Sequence, residues 1–453
     1  MPAVMPSTNL AYRTAIGLIW ALALWHSWLC RGLFVDGSAF LLNIVRHEWF
    51  FDFYPPRLYA MIAAQLPIMT AVTLGQTDLH VLARLLSFGL FGLPTLLYTL
   101  ALMRARHEPV LLAVLIAAIG AIFFTTSFFI VGEYNSAYPL ALLVAVRLVT
   151  AKRLTIGDGL FLLALSAFAI RTYEVLIYLG PLLALMVLWQ VWRMPRRPIV
   201  ASLLHLAAVG CFIAAMFVAI DSVVHPWSQE HLDETYVAAL NFWQNLQFDL
   251  AFGAILIVAV WALLRPEQLQ GTAPYRWAAI IVVLLALSPL LAISDTLIRP
   301  LAKSQYVART VSGLIVATMV IFIWCYNAPL FRAWRTRVVL QDKVASHRLL
   351  GFACLVLLAV LPSDILLTVS WDSFLKTFHG VVVSRPGIIA FEETPLSHPP
   401  DFLLVENWVL STQSLVLRSK YDDGVVNTPK GFSDWVPFPP LEPPNIGRFY
   451  WRD

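Results

Sequence analysis

Eleven apolar stretches divide this chain, most of them near the roughly 20 residues needed to cross a bilayer as a helix, and the connections between them alternate in character. Every second connection is basic: Arg104-Ala105-Arg106-His107, Lys152-Arg153, Arg193 with Arg196 and Arg197, Arg265, and Arg332, Arg335, Arg337 and Lys343. The intervening connections collect the acids. A bilayer admits such a pattern only as helices that satisfy their own backbone hydrogen bonds. With 59% hydrophobic and 13% charged residues, the 453-residue chain falls far short of the charge a soluble domain carries, about a quarter of its residues. The reading is an α-helical polytopic membrane protein. The net charge of +4 is small, and the basic residues are spent on topology, so no nucleic-acid partner is expected.

The expected spans are residues 14–33, 79–103, 110–131, 137–149, 156–170, 175–192, 199–220, 250–264, 277–293, 307–324 and 349–369. The first is read as a span and not as a cleaved leader, because an acidic loop follows it without a small-residue cleavage site. The stretch 58–74 is short and broken by Gln65-Leu66-Pro67, and reads as re-entrant or interfacial. Counting it as a full span would put the basic connections on both sides of the membrane. The positive-inside rule then places the N-terminus in the cytoplasm and the C-terminus outside. Residues 1–369 form the membrane domain, with 34–78 as its first outer loop, and 370–453 form a small outer domain. In that last part short apolar runs (GVVV, GIIAF, FLLVENWVL, SLVLRS) alternate with Pro, Gly and Asn, a pattern of short strands and turns that predicts a β-rich fold. The four cysteines, Cys30, Cys211, Cys325 and Cys354, lie in or beside apolar runs and read as reduced, buried thiols without metal or redox spacing.

The first outer loop is the unusual part. Asp36, Arg46, His47, Glu48, Asp52 and Arg57 sit there among aromatics at the membrane surface, where charge is costly and needs a reason. Apolar residues at near-helical spacing from Ser38 to Phe53 predict an amphipathic interfacial helix ended by Pro55-Pro56. Asp36 is a candidate general base for an acceptor hydroxyl, or the cap of that helix. Glu133, in Gly-Glu-Tyr-Asn with no basic neighbour in sequence, is the second catalytic candidate. Arg57, Arg299, Lys303 and Arg309 run against the positive-inside trend, and either bind a lipid phosphate or snorkel to headgroups. Glu48, Asp52, Tyr54, Arg171, Glu174 and Asp295 complete the outer polar set that can contact a substrate. Arg171 and Glu174, three apart on one helical face, are placed to pair with each other. His225, His231, Asp233 and Glu234 lack metal-ligand spacing and read as a solvated loop. The outer aromatics can stack on sugars or form an interfacial belt.

Three short motifs carry a resemblance. Val35-Asp36-Gly37 follows the first span, Tyr54-Pro55-Pro56-Arg57-Leu58-Tyr59 follows the interfacial segment, and Arg84-Leu85-Leu86-Ser87 lies early in the next span. In this the chain resembles the GT-C superfamily of polyprenyl-phosphate-dependent membrane glycosyltransferases, which includes the protein O-mannosyltransferases and the lipid A aminoarabinose transferases. The likeness covers about the first 180 residues by pattern. Two positions depart from it: the acidic pair is Asp-Gly here, and the His before Pro-Pro is Tyr. The resemblance implies an inverting transfer from a polyprenyl-phosphate sugar to a lipid or glycan acceptor at the outer face of a bacterial inner membrane. The donor phosphate would lie near the basic set after Asp295. Members differ in their need for a divalent cation such as magnesium or manganese. Two other classes compete: a lipid-linked sugar flippase, which calls for charges near mid-span and paired broken helices, and a non-catalytic subunit of an envelope assembly, which would tolerate loss of Asp36.

Overall fold

A computed structural model describes residues 7–194, 198–226, 233, 237, 240–265, 268–269, 271–291, 308–327, 343–398, 400–427, 446 and 448–452. Asp295, Arg299 and Lys303, with His231 and Glu234, lie outside the described residues.

The protein is a multi-pass helical membrane protein. Helix α1 (Thr8–Trp28) starts where the Ser7 side chain accepts from the Leu10 amide, and α2 (Asp36–His47) follows after a short 3-10 turn. Next come α3 (Leu58–Thr73), α4 (Leu79–Ala105), capped by Asp78, and α5 (Pro109–Thr126), which contains a π-helical turn at Ile119–Phe123. Then follow α6 (Tyr134–Thr150), α7 (Ile156–Ala169), α8 (Leu176–Arg193), α9 (Ile199–Val224), α10 (Leu246–Leu264), α11 (Ala273–Leu291), α12 (Arg309–Asn327) and α13 (Lys343–Ser384). Seven of these, α4, α5, α8, α9, α11, α12 and α13, are long and apolar enough to cross a membrane. The other expected spans are largely helical too, in α1, α6, α7 and α10; α6 has 17 residues and α7 has 14.

Packing sorts the helices by composition. Nearly every residue of α6 is buried, between α4 and α12, and α4 also pairs with α1 and α3. Helix α9 lies against α7 and α8 and shows most of its apolar surface outward, as a lipid-facing helix does. Helices α10 and α11 pair with each other, and α13 packs on α5 and α11. Close approach depends on small residues: a Cβ on Gly89 of α4 would fall on the Ala64 carbonyl of α3. On the basic side, Asp158 at the start of α7 binds Arg147 at 2.5 Å and is capped by Thr155.

Two expectations need correction. The interfacial helix begins at Asp36 and stops at Glu48, whose φ of 49° ends it; residues 49–54 are non-helical, and Pro55-Pro56 opens the turn before α3 instead of closing α2. Proline fits the first turn because its missing N–H is not needed there. The second correction concerns the C-terminal part. Helix α13 has 42 residues, about 63 Å at 1.5 Å per residue, twice a hydrocarbon core of about 30 Å, so it continues past residue 369 to Ser384. Beyond it, the described residues form 3-10 turns, the helix α14 (Leu410–Val416) and one parallel pair of two-residue strands, β1 (Ile388–Ile389) and β2 (Val425–Val426). Among the described residues this is not a β-rich fold. The apolar runs are buried against helices instead: α14 packs on α2, Arg448 pairs with Glu48 at 2.9 Å, and Trp451 stacks on His80 at 4.4 Å. The C-terminal segment and the first loop therefore lie on the same side.

Candidate functional site

The turn between α1 and α2 sets the position of Asp36. Cys30 and Val35 both have positive φ, 53° and 54°. For a β-branched residue such as valine that is a true outlier, with a cost on the order of 1–3 kcal/mol that its surroundings must hold. Between them, the Gly32 amide donates to Ser87 Oγ at 2.9 Å, and Ser38 Oγ donates to the Leu33 carbonyl at 2.7 Å. A Cβ on Gly32 would sit 2.6 Å from Ser87 Oγ, and one on Gly37 would fall on the Gly32 carbonyl, so both positions require glycine.

Asp36 is the first residue of α2, not its cap: the cap position is Val35, and the Asp36 side chain bonds no amide there. Its Oδ1 is buried without a hydrogen-bond partner. Burial, reinforced by the charge of Glu133 and of Glu406 from the C-terminal segment, pushes the Asp36 carboxyl up to about 7 against the opposing pull of Arg309 and Arg57.

Beside it stands an ion cluster drawn from three loops. Arg57 binds Glu133 at 3.1 Å and Glu174 at 2.9 Å, and its guanidinium lies 4.8 Å from the Tyr54 ring and 4.9 Å from the Tyr173 ring. The Tyr59 amide donates to the Arg171 carbonyl at 2.9 Å, which ties the α3 entry to the loop before α8. Burial raises the Glu133 carboxyl, with Arg57 pulling it down. Arg309 begins α12, where its carbonyl accepts from the Tyr138 hydroxyl, and its charge is felt at Asp36, Tyr134 and Tyr173.

The sequence-predicted residues thus divide. Asp36, Tyr54, Arg57, Glu133, Glu174 and Arg309 come together. Arg57, expected to hold a phosphate, is instead engaged by two carboxylates. Glu174 pairs with Arg57 and not with Arg171, since the preceding helix ends at Ala169 and the chain from Arg171 to Glu174 is non-helical. Glu48 faces the C-terminal segment, and Asp52 is exposed on the non-helical stretch. Among the described residues, no three His, Cys, Asp or Glu side chains gather as metal ligands.

Sequence reasoning missed a second cluster. Arg31 donates to Asp364 Oδ1 at 2.7 Å and to Thr368 Oγ1 at 2.9 Å, and His26 Nε2 lies 2.8 Å from Asp364 Oδ2 and 2.9 Å from Arg31 Nη1. All three ionisable side chains are buried, and Phe91 and Phe128 cover the guanidinium at 5.2 and 4.9 Å. The signal was present: Asp364 is a lone acid within the last apolar run, and such a residue demands a partner. Comparison with family models, curated proteins and solved structures finds no match for this chain.

Proposed function

We propose that this chain is an integral membrane glycosyltransferase of eleven spans, N-terminus cytoplasmic. It would move a sugar with inversion from a polyprenyl-phosphate donor to a lipid or glycan acceptor at the outer face of a bacterial inner membrane. One observation carries the reading: the Asp36 carboxyl presents a buried, unpartnered oxygen beside Glu133, with cationic Arg57 and Arg309 close by. A carboxyl that titrates near neutrality suits a general base, because it is both ionised and basic enough at working pH.

In this mechanism Asp36 takes the proton of the acceptor hydroxyl. The hydroxyl oxygen attacks the anomeric carbon as the bond from that carbon to the phosphate oxygen breaks, and the electron pair leaves with the polyprenyl phosphate. Arg309, with Arg299 and Lys303 just before it in the chain, supplies the positive charge for that leaving group. Glu133, oriented by Arg57, accepts hydrogen bonds from sugar hydroxyls, and Glu174 keeps Arg57 in place.

A flippase is the second reading, and the buried Arg31–Asp364–His26 cluster is the observation in its favour, since charge inside a bundle marks many transport paths. One experiment separates the two. Proteoliposomes receive radiolabelled polyprenyl-phosphate sugars with a membrane-lipid and glycan extract, and the wild type is compared with Asp36→Asn. Transfer that falls at least about a hundredfold in the variant, on the order of 2.7 kcal/mol of transition-state stabilisation, supports the enzyme. Equal transfer by both removes Asp36 from the base role, and donor movement between leaflets without transfer supports the flippase.

A further inference from the structure

We infer that the buried Arg31–Asp364–Thr368 linkage is a positioning device that clamps the strained α1–α2 turn to α13 and thereby fixes Asp36 with its Oδ1 atom buried. The inference rests on the proposed role of Asp36. Three observations converge on it. The turn from Cys30 to Val35 is flanked by two residues with positive φ, at 53° and 54°, so its conformation needs external restraint. The restraint comes from one face of α13: Asp364 and Thr368 accept from Arg31 at 2.7 and 2.9 Å, and one turn on, Trp371 Nε1 donates to the Cys30 carbonyl at 3.2 Å. The chain from Arg31 to Asp36 is then carried rigidly, because Gly32 and Gly37 leave no room for a side chain against Ser87 and the Gly32 carbonyl.

Arg31 and Asp364 are 333 residues apart in sequence, and no local rule requires them to meet. A purely stabilising pair could be placed anywhere in the bundle; this one engages the single turn whose geometry decides where the Asp36 carboxyl points. Releasing the clamp lets Val35 relax to an ordinary conformation and swings Asp36 toward water, where its carboxyl titrates closer to its usual range. The groups that set its titration, Glu133, Arg309, Arg57 and Glu406, stay on other elements, so a shift reports movement of Asp36 itself.

The test reads Asp36 directly. The full-length protein in proteoliposomes is treated with a hydrophobic carbodiimide, which modifies protonated buried carboxyls, and modification of the Asp36 peptide is followed by mass spectrometry from pH 5 to 9. Asp364→Asn should move the midpoint of Asp36 modification down by about one pH unit and reduce sugar transfer at least tenfold. Trp371→Phe keeps an aromatic side chain there but removes the indole N–H that bonds Cys30, and should move the midpoint the same way by less; it decides the matter if Asp364→Asn does not fold. Val35→Gly, which accepts the positive φ without strain, should restore part of the shift in the Asp364→Asn background. An unchanged midpoint in the folded variants overturns the clamp. If the midpoint shifts while the wild type transfers no sugar, the clamp stands and the glycosyltransferase reading falls; loss of transfer in Asp36→Asn with an unmoved midpoint gives the reverse.

Discussion

Replacing Arg57 with methionine leaves Glu133 and Glu174 facing each other without their shared cation. The two contacts, at 3.1 and 2.9 Å, each carry about 5–6 kcal/mol of gross Coulomb energy at an effective dielectric of 20. The net loss is smaller, for two reasons. Arg57 and Glu174 keep partial solvent contact, and Glu133 can shed its unpaired charge by taking up a proton. That escape caps the cost: neutralising a glutamate of ordinary pKa, about 4.3, takes about 3.7 kcal/mol at pH 7. Burial already raises the wild-type Glu133 carboxyl, so part of that cap is spent before the substitution. The expected destabilisation is about 2–3 kcal/mol at pH 7. The substitution raises the folded-state pKa of Glu133 further, so the variant binds more protons folded than the wild type does. Its deficit therefore grows as pH rises above the ordinary carboxylate range and shrinks to about 1 kcal/mol or less at pH 5. Unfolding by sodium dodecyl sulfate titration in mixed micelles at the two pH values measures it. A deficit equal at pH 5 and pH 7 would falsify the electrostatic account and assign the effect to lost packing against Tyr54 and Tyr173.

Three more outcomes follow from the same geometry. Transfer should rise about tenfold per pH unit below the Asp36 midpoint near 7 and level off above it, since only the ionised carboxyl accepts a proton; a flat profile from pH 5 to 8 would remove Asp36 as the base. Gly37→Ala should destabilise by about 3 kcal/mol or prevent insertion, because its Cβ would fall on backbone that cannot give way, and expression with a normal unfolding curve would contradict the described turn. Glu48→Ala should change stability by less than about 1 kcal/mol, as expected for an exposed ion pair, and should leave the unfolding curve otherwise unchanged.

Local chemistry made much of the fold legible. Apolar run length announced the helices, and the broken stretch at 58–74 gave a 16-residue helix too short for the spanning set; the caps at Ser7, Asp78 and Thr155 were seen only in the structure. The segment after residue 384 was misread because a short alternating pattern says only that one side is buried, not what buries it. There α2 and α13 supply the covering surface, and the described residues wrap onto them mostly in 3-10 turns, pairing with one another only in the short β1–β2 ladder.

The candidate site divides along the same line. Asp36, Arg57 and Glu133 could be singled out because charge at a membrane surface is costly wherever it occurs. Which partner neutralises which charge was not written locally: Arg57 meets Glu133 across 76 residues and Glu174 across 117. Spacing within a helix suggested Arg171 for Glu174, and tertiary packing gave that carboxylate to Arg57. The clamp on the turn is more distant still, with Arg31 and Asp364 brought together only when α1 and α13 pack. Sequence by itself determined which segments are apolar enough to form long helices and which charged residues need a reason to lie among them, because transfer free energy is a property of each residue and its near neighbours. The tertiary structure alone decided the ion pairs, the strained turn and the exposure of Asp36, because these depend on contacts whose separation along the chain no local pattern encodes.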